Sequence, residues 1–109
     1  MGQALQSEDV IDRIVERLVD ALHPMRIVLF GSRARGDARA DSDYDFLVVA
    51  DLPVGPAERE FLAHKAATGF GVSKDIVVVT PAEFRRLSNW SSSLVAAALR
   101  EGRTVYEAA

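Results

Sequence analysis

The sequence contains no cysteine, which excludes disulfide bonds, zinc sites built from thiolates and catalysis by a thiol. It shows no N-terminal basic segment followed by an apolar one, and no apolar run approaches the length needed to cross a bilayer. The lack of cysteine does not by itself indicate a compartment. Without a targeting or membrane segment, however, we expect a cytoplasmic protein that makes no membrane contact.

A strong excess of either charge is also missing, since 13 lysines and arginines against 16 aspartates and glutamates give a formal net charge of −3. Broad attraction to a polyanion is therefore not favoured, and we do not expect a nucleic-acid partner. The 109 residues are 49% hydrophobic and 27% charged, which is typical of one globular domain spanning residues 1–109. A site for a small anion must then depend on positive charges and N–H groups close to the site itself.

Hydrophobic periodicity predicts alternating helices and strands. Apolar residues recur at helical spacing after the capping residue Ser7, which predicts a first helix that ends near His23 and Pro24. Short β-prone runs predict three strands at residues 27–30, 43–50 and 75–79 and a short edge strand at 104–106. Further helices are predicted between Pro56 and Phe70, from Pro81, and from Ser92 or Ser93 to Arg100.

The lengths of the connections predict how the strands run. Too few residues separate the first two strands for a parallel crossover, so these should be antiparallel. The second and third strands are joined through a helix, which predicts a parallel, right-handed βαβ unit. We therefore expect an α/β (α+β) fold, a small mixed sheet with helices packed on it.

This topology brings three acids to one rim of the sheet. Asp43 and Asp45 point to the same face of their strand, with Tyr44 packed behind them, because side chains alternate along a strand. Asp75, at the head of the parallel neighbour, can join them if the register allows. Clustered carboxylates are the hard oxygen ligands that suit Mg²⁺ or Mn²⁺, so a divalent metal is expected.

A phosphate-binding turn is predicted at the same rim. Gly31 and Ser32 directly follow the first strand and lead into a short turn of helix. Glycine permits close approach of a phosphate, the Ser32 hydroxyl can donate to it, and Arg33 can contact phosphate or form a salt bridge instead. We expect Arg35 and Arg39 to be solvated.

Two rival motifs fail on the same stretch. Gly31 and Gly36 have the spacing of a P-loop, but Asp37 and Ala38 stand where lysine and serine or threonine are required. Asp41, with the acids that follow it, resembles the start of an EF-hand loop, yet Phe46 and Leu52 replace its essential glycine and glutamate. We therefore exclude both motifs.

The stretch GSRARGDARADSDYD has Gly31 and Ser32, then ten residues, then Asp43-Tyr44-Asp45. It resembles the signature of the DNA polymerase beta-like nucleotidyltransferase superfamily, and most of the chain is similar to its minimal nucleotidyltransferase (MNT) branch. The resemblance implies that Asp43 and Asp45 hold two Mg²⁺ ions and that Asp75 is the third carboxylate. It also implies that Gly31 and Ser32 hold the triphosphate of ATP.

The same resemblance implies a partner, because many MNT proteins are antitoxins paired with a HEPN-domain toxin. We therefore expect AMP transfer from ATP to a hydroxyl of an acceptor, with a tyrosine of such a toxin as the implied acceptor. The alternative is a non-catalytic antitoxin or nucleotide-binding protein that acts by binding a partner alone. Trp90, Tyr106 and the helix at residues 94–99 are candidate contacts, and an oligomer is compatible with the sequence.

Overall fold

The computed structural model describes residues 7–109, and within them helices and strands alternate as the periodicity predicts. The first predicted helix, for example, occupies Ser7–Leu22. In chain order the elements are α1 (Ser7–Leu22), β1 (Arg26–Phe30), α2 (Ser32–Arg35), β2 (Tyr44–Val49), α3 (Pro56–Ala66), β3 (Lys74–Val79), α4 (Pro81–Ser88), α5 (Leu94–Glu101) and β4 (Arg103–Glu107).

The four strands form one mixed sheet in the order β3-β2-β1-β4. β1 runs antiparallel to both β2 and β4, whereas β2 and β3 are parallel and are connected through α3. Both predicted strand directions, and the mixed α/β class, are thereby confirmed.

Helices cover both faces of the sheet. One face packs against α1 and α3, with Ile14, Leu18 and Phe46 fully buried there. The opposite face packs against α4 and α5, where Leu47 of β2 meets Val95 of α5. Burying a large aliphatic side chain contributes about 1.5–3 kcal/mol, so this two-sided burial is the main source of stability.

A buried ion pair joins α3 to α4. Arg59 is only 5% exposed, and its guanidinium donates to the Val54 carbonyl at 3.1 Å and to the Glu83 carboxylate at 2.9 Å. Glu83 also completes a capping box, because its carboxylate accepts from the Thr80 amide while the Thr80 hydroxyl accepts from the Glu83 amide. These bonds fix the start of α4 relative to α3.

The helix predicted between Pro56 and Phe70 ends at Ala66. Gly69, Phe70 and Gly71 follow with φ values of +107°, +68° and +63°, a left-handed run that no right-handed helix can contain. The turn redirects the chain into β3 and so sets where β3 begins.

Within residues 7–109, no helix is both long enough and apolar enough to cross a membrane.

Candidate active site

The strand pairing brings the predicted acids together. In the parallel register of β2 and β3, Asp45 lies directly beside Asp75, which satisfies the condition that the sequence left open. Asp43 comes just before β2, and Tyr44 is 3% exposed on the opposite face, as expected. Alternation along β2 puts the acids on the side of the sheet covered by α4 and α5.

Gly31 lies against the central acid. Phe30, the last residue of β1, pairs with Asp45, so the turn that follows crosses the head of β2. A Cβ built on Gly31 would stand 2.2 Å from Oδ2 of Asp45, which is far inside van der Waals contact. Gly31 also has φ +72° and ψ −159°, a conformation that essentially only glycine adopts. Both facts make glycine necessary at this position.

The predicted turn of helix after Gly31 is present as α2. The Gly31 carbonyl accepts from the amides of Ala34 and Arg35 at 3.1 and 3.0 Å, and Gly36 closes the helix in a left-handed conformation. Ser32 is the first residue of α2 and is partly exposed. The turn and the three acids therefore share one rim.

The surroundings of Asp45 raise its affinity for protons. The pKa of Asp45 lies above its ordinary value of 3.8, first because the carboxyl is partly buried and then because Asp75 and Asp43 add negative charge nearby. The stabilisation linked to this shift is complete below the ordinary value and is lost as pH rises through the raised pKa. The ionised form of Asp45 is therefore the one that destabilises the metal-free fold.

The chemistry of these donors fits a hard divalent cation. Asp45 and Asp75 lie side by side on neighbouring strands, with Asp43 close enough for its charge to act on Asp45, and the cost of ionising Asp45 falls when a cation neutralises this charge. Within residues 7–109, no group of three or more aspartate, glutamate or histidine side chains is arranged so that it could hold a metal ion as it stands. The assignment of Asp43, Asp45 and Asp75 as metal ligands stays a prediction.

Arg33 holds the loop that carries the acids. Its guanidinium donates to the Ser42 carbonyl at 3.0 Å and to the Ala40 carbonyl at 3.2 Å, and it lies 4.2 Å from the centre of the Tyr44 ring. These contacts hold the loop from Ala40 to Tyr44 against α2. Its role in nucleotide binding stays a prediction beside this bracing of the loop.

We expected Arg35 to be solvated, but it also forms ion pairs. Its guanidinium forms ion pairs with Asp37 at 3.4 Å and with Glu101 at 3.1 Å. Its positive charge also offsets a small part of the rise in the pKa of Asp45. Glu101, the last residue of α5, was missed altogether. Since 66 positions separate it from Arg35, no local pattern could have found it.

A match to a family model decides the family. The model described as "Nucleotidyltransferase domain" matches residues 11–103, which include α2, the strands β1, β2 and β3 and all three acids. The chain belongs to the nucleotidyltransferase domain family. The match confirms the superfamily resemblance that the stretch from Gly31 to Asp45 indicated for this nucleotidyltransferase.

Similar proteins extend the comparison. The nucleotidyltransferase is 36% identical over 81 residues to "Putative protein adenylyltransferase MJ0604" of Methanocaldococcus jannaschii, covering 74% of this chain and 77% of that protein. A crystal structure of a toxin-antitoxin with AMP-PNP superposes with a TM-score of 0.65 at 25% identity, over 94% of this chain and 75% of that one.

A third relative shares the fold. It comes from a complex of tri-AMPylated Shewanella oneidensis HEPN toxin with MNT antitoxin, and matches with a TM-score of 0.60 at 22% identity over 94% of this chain and 74% of that one. Together these comparisons identify an enzyme with the architecture of minimal nucleotidyltransferases.

Proposed function

We propose that this nucleotidyltransferase transfers AMP from ATP to a hydroxyl of a separate acceptor protein, with a divalent metal held by Asp43, Asp45 and Asp75. One observation carries the proposal: the turn at Gly31 packs so closely on Asp45 that a Cβ built on Gly31 would stand 2.2 Å from Oδ2 of Asp45, and Asp45 is the register partner of Asp75 on β3. A phosphate-binding turn and a set of metal ligands would then act on neighbouring atoms of one triphosphate.

Each residue of the rim has a distinct task. Gly31 is partly exposed and carries no side chain to keep a phosphate from its backbone, and the Ser32 hydroxyl donates a hydrogen bond to an oxygen of the leaving β- and γ-phosphates. Mg²⁺, when bound by the three carboxylates as one ion or two, supplies charge neutralisation and alignment for in-line attack. Asp75 is exposed, and it is the carboxylate that we assign to accept the proton of the acceptor hydroxyl.

In the proposed transfer one bond to phosphorus forms and one breaks. The acceptor oxygen forms a bond to the α-phosphorus of ATP, and the bond from that phosphorus to the oxygen bridging the β-phosphate breaks. Pyrophosphate leaves with the bond's electron pair, and the hydroxyl proton passes to Asp75 or to solvent. The acceptor gains one adenylyl group.

We further propose that the acceptor is a HEPN-domain toxin modified on a tyrosine. The support is the fold shared with an antitoxin whose partner toxin is AMPylated, and the named activity of the Methanocaldococcus jannaschii relative. Two large apolar side chains are exposed on the α4–α5 side, Trp90 at 61% and Leu94 at 48%, which suits them for contact with a partner. Tyr106 instead packs in part against the core.

Co-expression with a HEPN-family protein tests this function. After incubation with ATP and Mg²⁺, intact-mass spectrometry should find adenylyl groups on the HEPN protein, and peptide mapping should locate them on tyrosine. The Asp43→Asn variant, purified with the same partner, should leave that protein unmodified.

An unmodified partner in the presence of active wild-type protein, inhibited only by stoichiometric binding, would contradict the proposal and favour the non-catalytic alternative. Modification that continued in Asp43→Asn would show that the transfer does not use this rim.

A further inference from the structure

The Arg35 side chain joins α2, the helix that follows the proposed phosphate-binding turn, to the end of α5. It is carried on α2, one helical turn after Gly31 and Ser32, and its Nη1 contacts Glu101 Oε1 at 3.1 Å while its Nε contacts Asp37 Oδ2 at 3.4 Å. A guanidinium has five N–H donors, and these two contacts use only part of them. Donors therefore remain for an anion bound at the turn.

Glu101 is held firmly by the backbone that follows it. A Cβ built on Gly102 would stand 2.4 Å from the Leu29 carbonyl oxygen and 2.6 Å from that of Ala98, so α5 ends in direct contact with β1. Arg103, the next residue, pairs with Leu29 in the sheet. The base of the Glu101 side chain is thus fixed relative to β1, the strand that leads into Gly31.

The Arg35–Glu101 pair is poorly suited to stabilising the fold. The two side chains are 45% and 46% exposed, and ion pairs exposed to this degree contribute little to stability. The long-range contact is better explained by where it puts the guanidinium, because Arg35 stands on the short helix that begins at Ser32.

We propose that Glu101 is a positioning residue of the nucleotide site, which holds the Arg35 guanidinium beside Gly31 and Ser32 so that its remaining donors meet the phosphates of the nucleotide. This inference rests on the proposed function. Arg35 is the group that meets the substrate, and Glu101 acts only through it.

Simple electrostatics predicts the opposite effect for the same residue. Glu101 is an anion near a site for a polyanion, so its removal would tighten nucleotide binding if charge alone mattered. Positioning predicts weaker binding, because the freed Arg35 side chain must be ordered anew each time a nucleotide binds. The sign of the change therefore separates the two roles.

Calorimetric binding of a non-hydrolysable ATP analogue with Mg²⁺ measures this sign without turnover. Glu101→Ala should weaken binding about fivefold, the upper range for a partly exposed ion pair. Glu101→Gln should weaken it less, because its amide oxygen still accepts from the guanidinium. Glu8→Ala is the matched control: it removes the exposed ion pair of Glu8 with Arg103, and its binding should equal that of wild type.

A double-mutant cycle shows whether Glu101 acts through Arg35. In an Arg35→Ala background, Glu101→Ala should cause no further weakening. Binding by Glu101→Ala that equals or exceeds that of wild type, or an equal loss in the Arg35→Ala background, would overturn the positioning role. Failure of the wild-type protein to bind the analogue would instead overturn the proposed function, and the positioning role with it.

Discussion

Gly31→Ala is the substitution with the sharpest expected consequence. The added methyl group would stand 2.2 Å from Asp45 Oδ2, so the carboxylate or the turn must move by about 1 Å or more to reach ordinary contact. The backbone at φ +72° and ψ −159° adds a conformational cost of about 1–3 kcal/mol for any residue with a side chain. For a domain of this size, that cost lowers the melting temperature by about 5–20 °C.

The effect on catalysis should be larger than the effect on stability. A displacement of about 1 Å in a reacting group can lower the rate about a hundredfold. We therefore expect at least that loss in the initial rate of AMP transfer, measured at a temperature where circular dichroism finds the variant folded.

Gly36→Ala is the matched control. Gly36 has a left-handed φ of +89°, but no described atom lies within 4 Å of the position its Cβ would take. This variant should lose about 1 kcal/mol of stability and retain most of its transfer rate. If folded Gly31→Ala transferred AMP as fast as Gly36→Ala, the close approach of the turn to Asp45 would have no part in catalysis.

Three further predictions follow from the acids and the buried ion pair. Asp43→Asn and Asp45→Asn should each abolish transfer without altering the circular dichroism spectrum, and near-normal activity of either with Mg²⁺ would exclude it as a ligand. In EDTA at neutral pH, Asp45→Asn should melt at or above the wild-type temperature, and this advantage should fade as pH falls from the raised pKa of Asp45 to its ordinary value of 3.8. A melting temperature clearly below that of wild type would make this acid structural. Glu83→Ala leaves the buried Arg59 guanidinium without its carboxylate partner, so the free energy of unfolding measured in urea should fall by about 3 kcal/mol. Since the hydrogen bond from the Thr80 amide, and then Arg59, lowers the pKa of Glu83, its stabilisation is present above its ordinary value of 4.5 and is lost as pH falls through the lowered pKa.

The fold and the acid rim could be predicted because they depend on local patterns and connection lengths. Alternation put Asp43 and Asp45 on one face, and the short link from β1 to β2 required antiparallel pairing. The helix in the next connection required a parallel β3, which is what brings Asp75 beside Asp45.

The side-chain network around the rim could not be predicted in the same way. Arg33 braces Ser42 and stacks on Tyr44 because a particular loop path brings those groups within its reach. Arg35 contacts Glu101 only because Gly102 packs closely against β1, which places the end of α5 near α2. Such contacts depend on tertiary distances that neither hydrophobic periodicity nor motif spacing encodes.

The position of the label in ATP tests the central claim most directly. With a verified acceptor and Mg²⁺, the account predicts that label at the α-phosphate becomes attached to the acceptor while label at the γ-phosphate leaves in pyrophosphate, one released for each AMP added. Transfer of the γ-label without the α-label would contradict nucleotidyl transfer, even if Asp43, Asp45 and Asp75 proved to bind the metal.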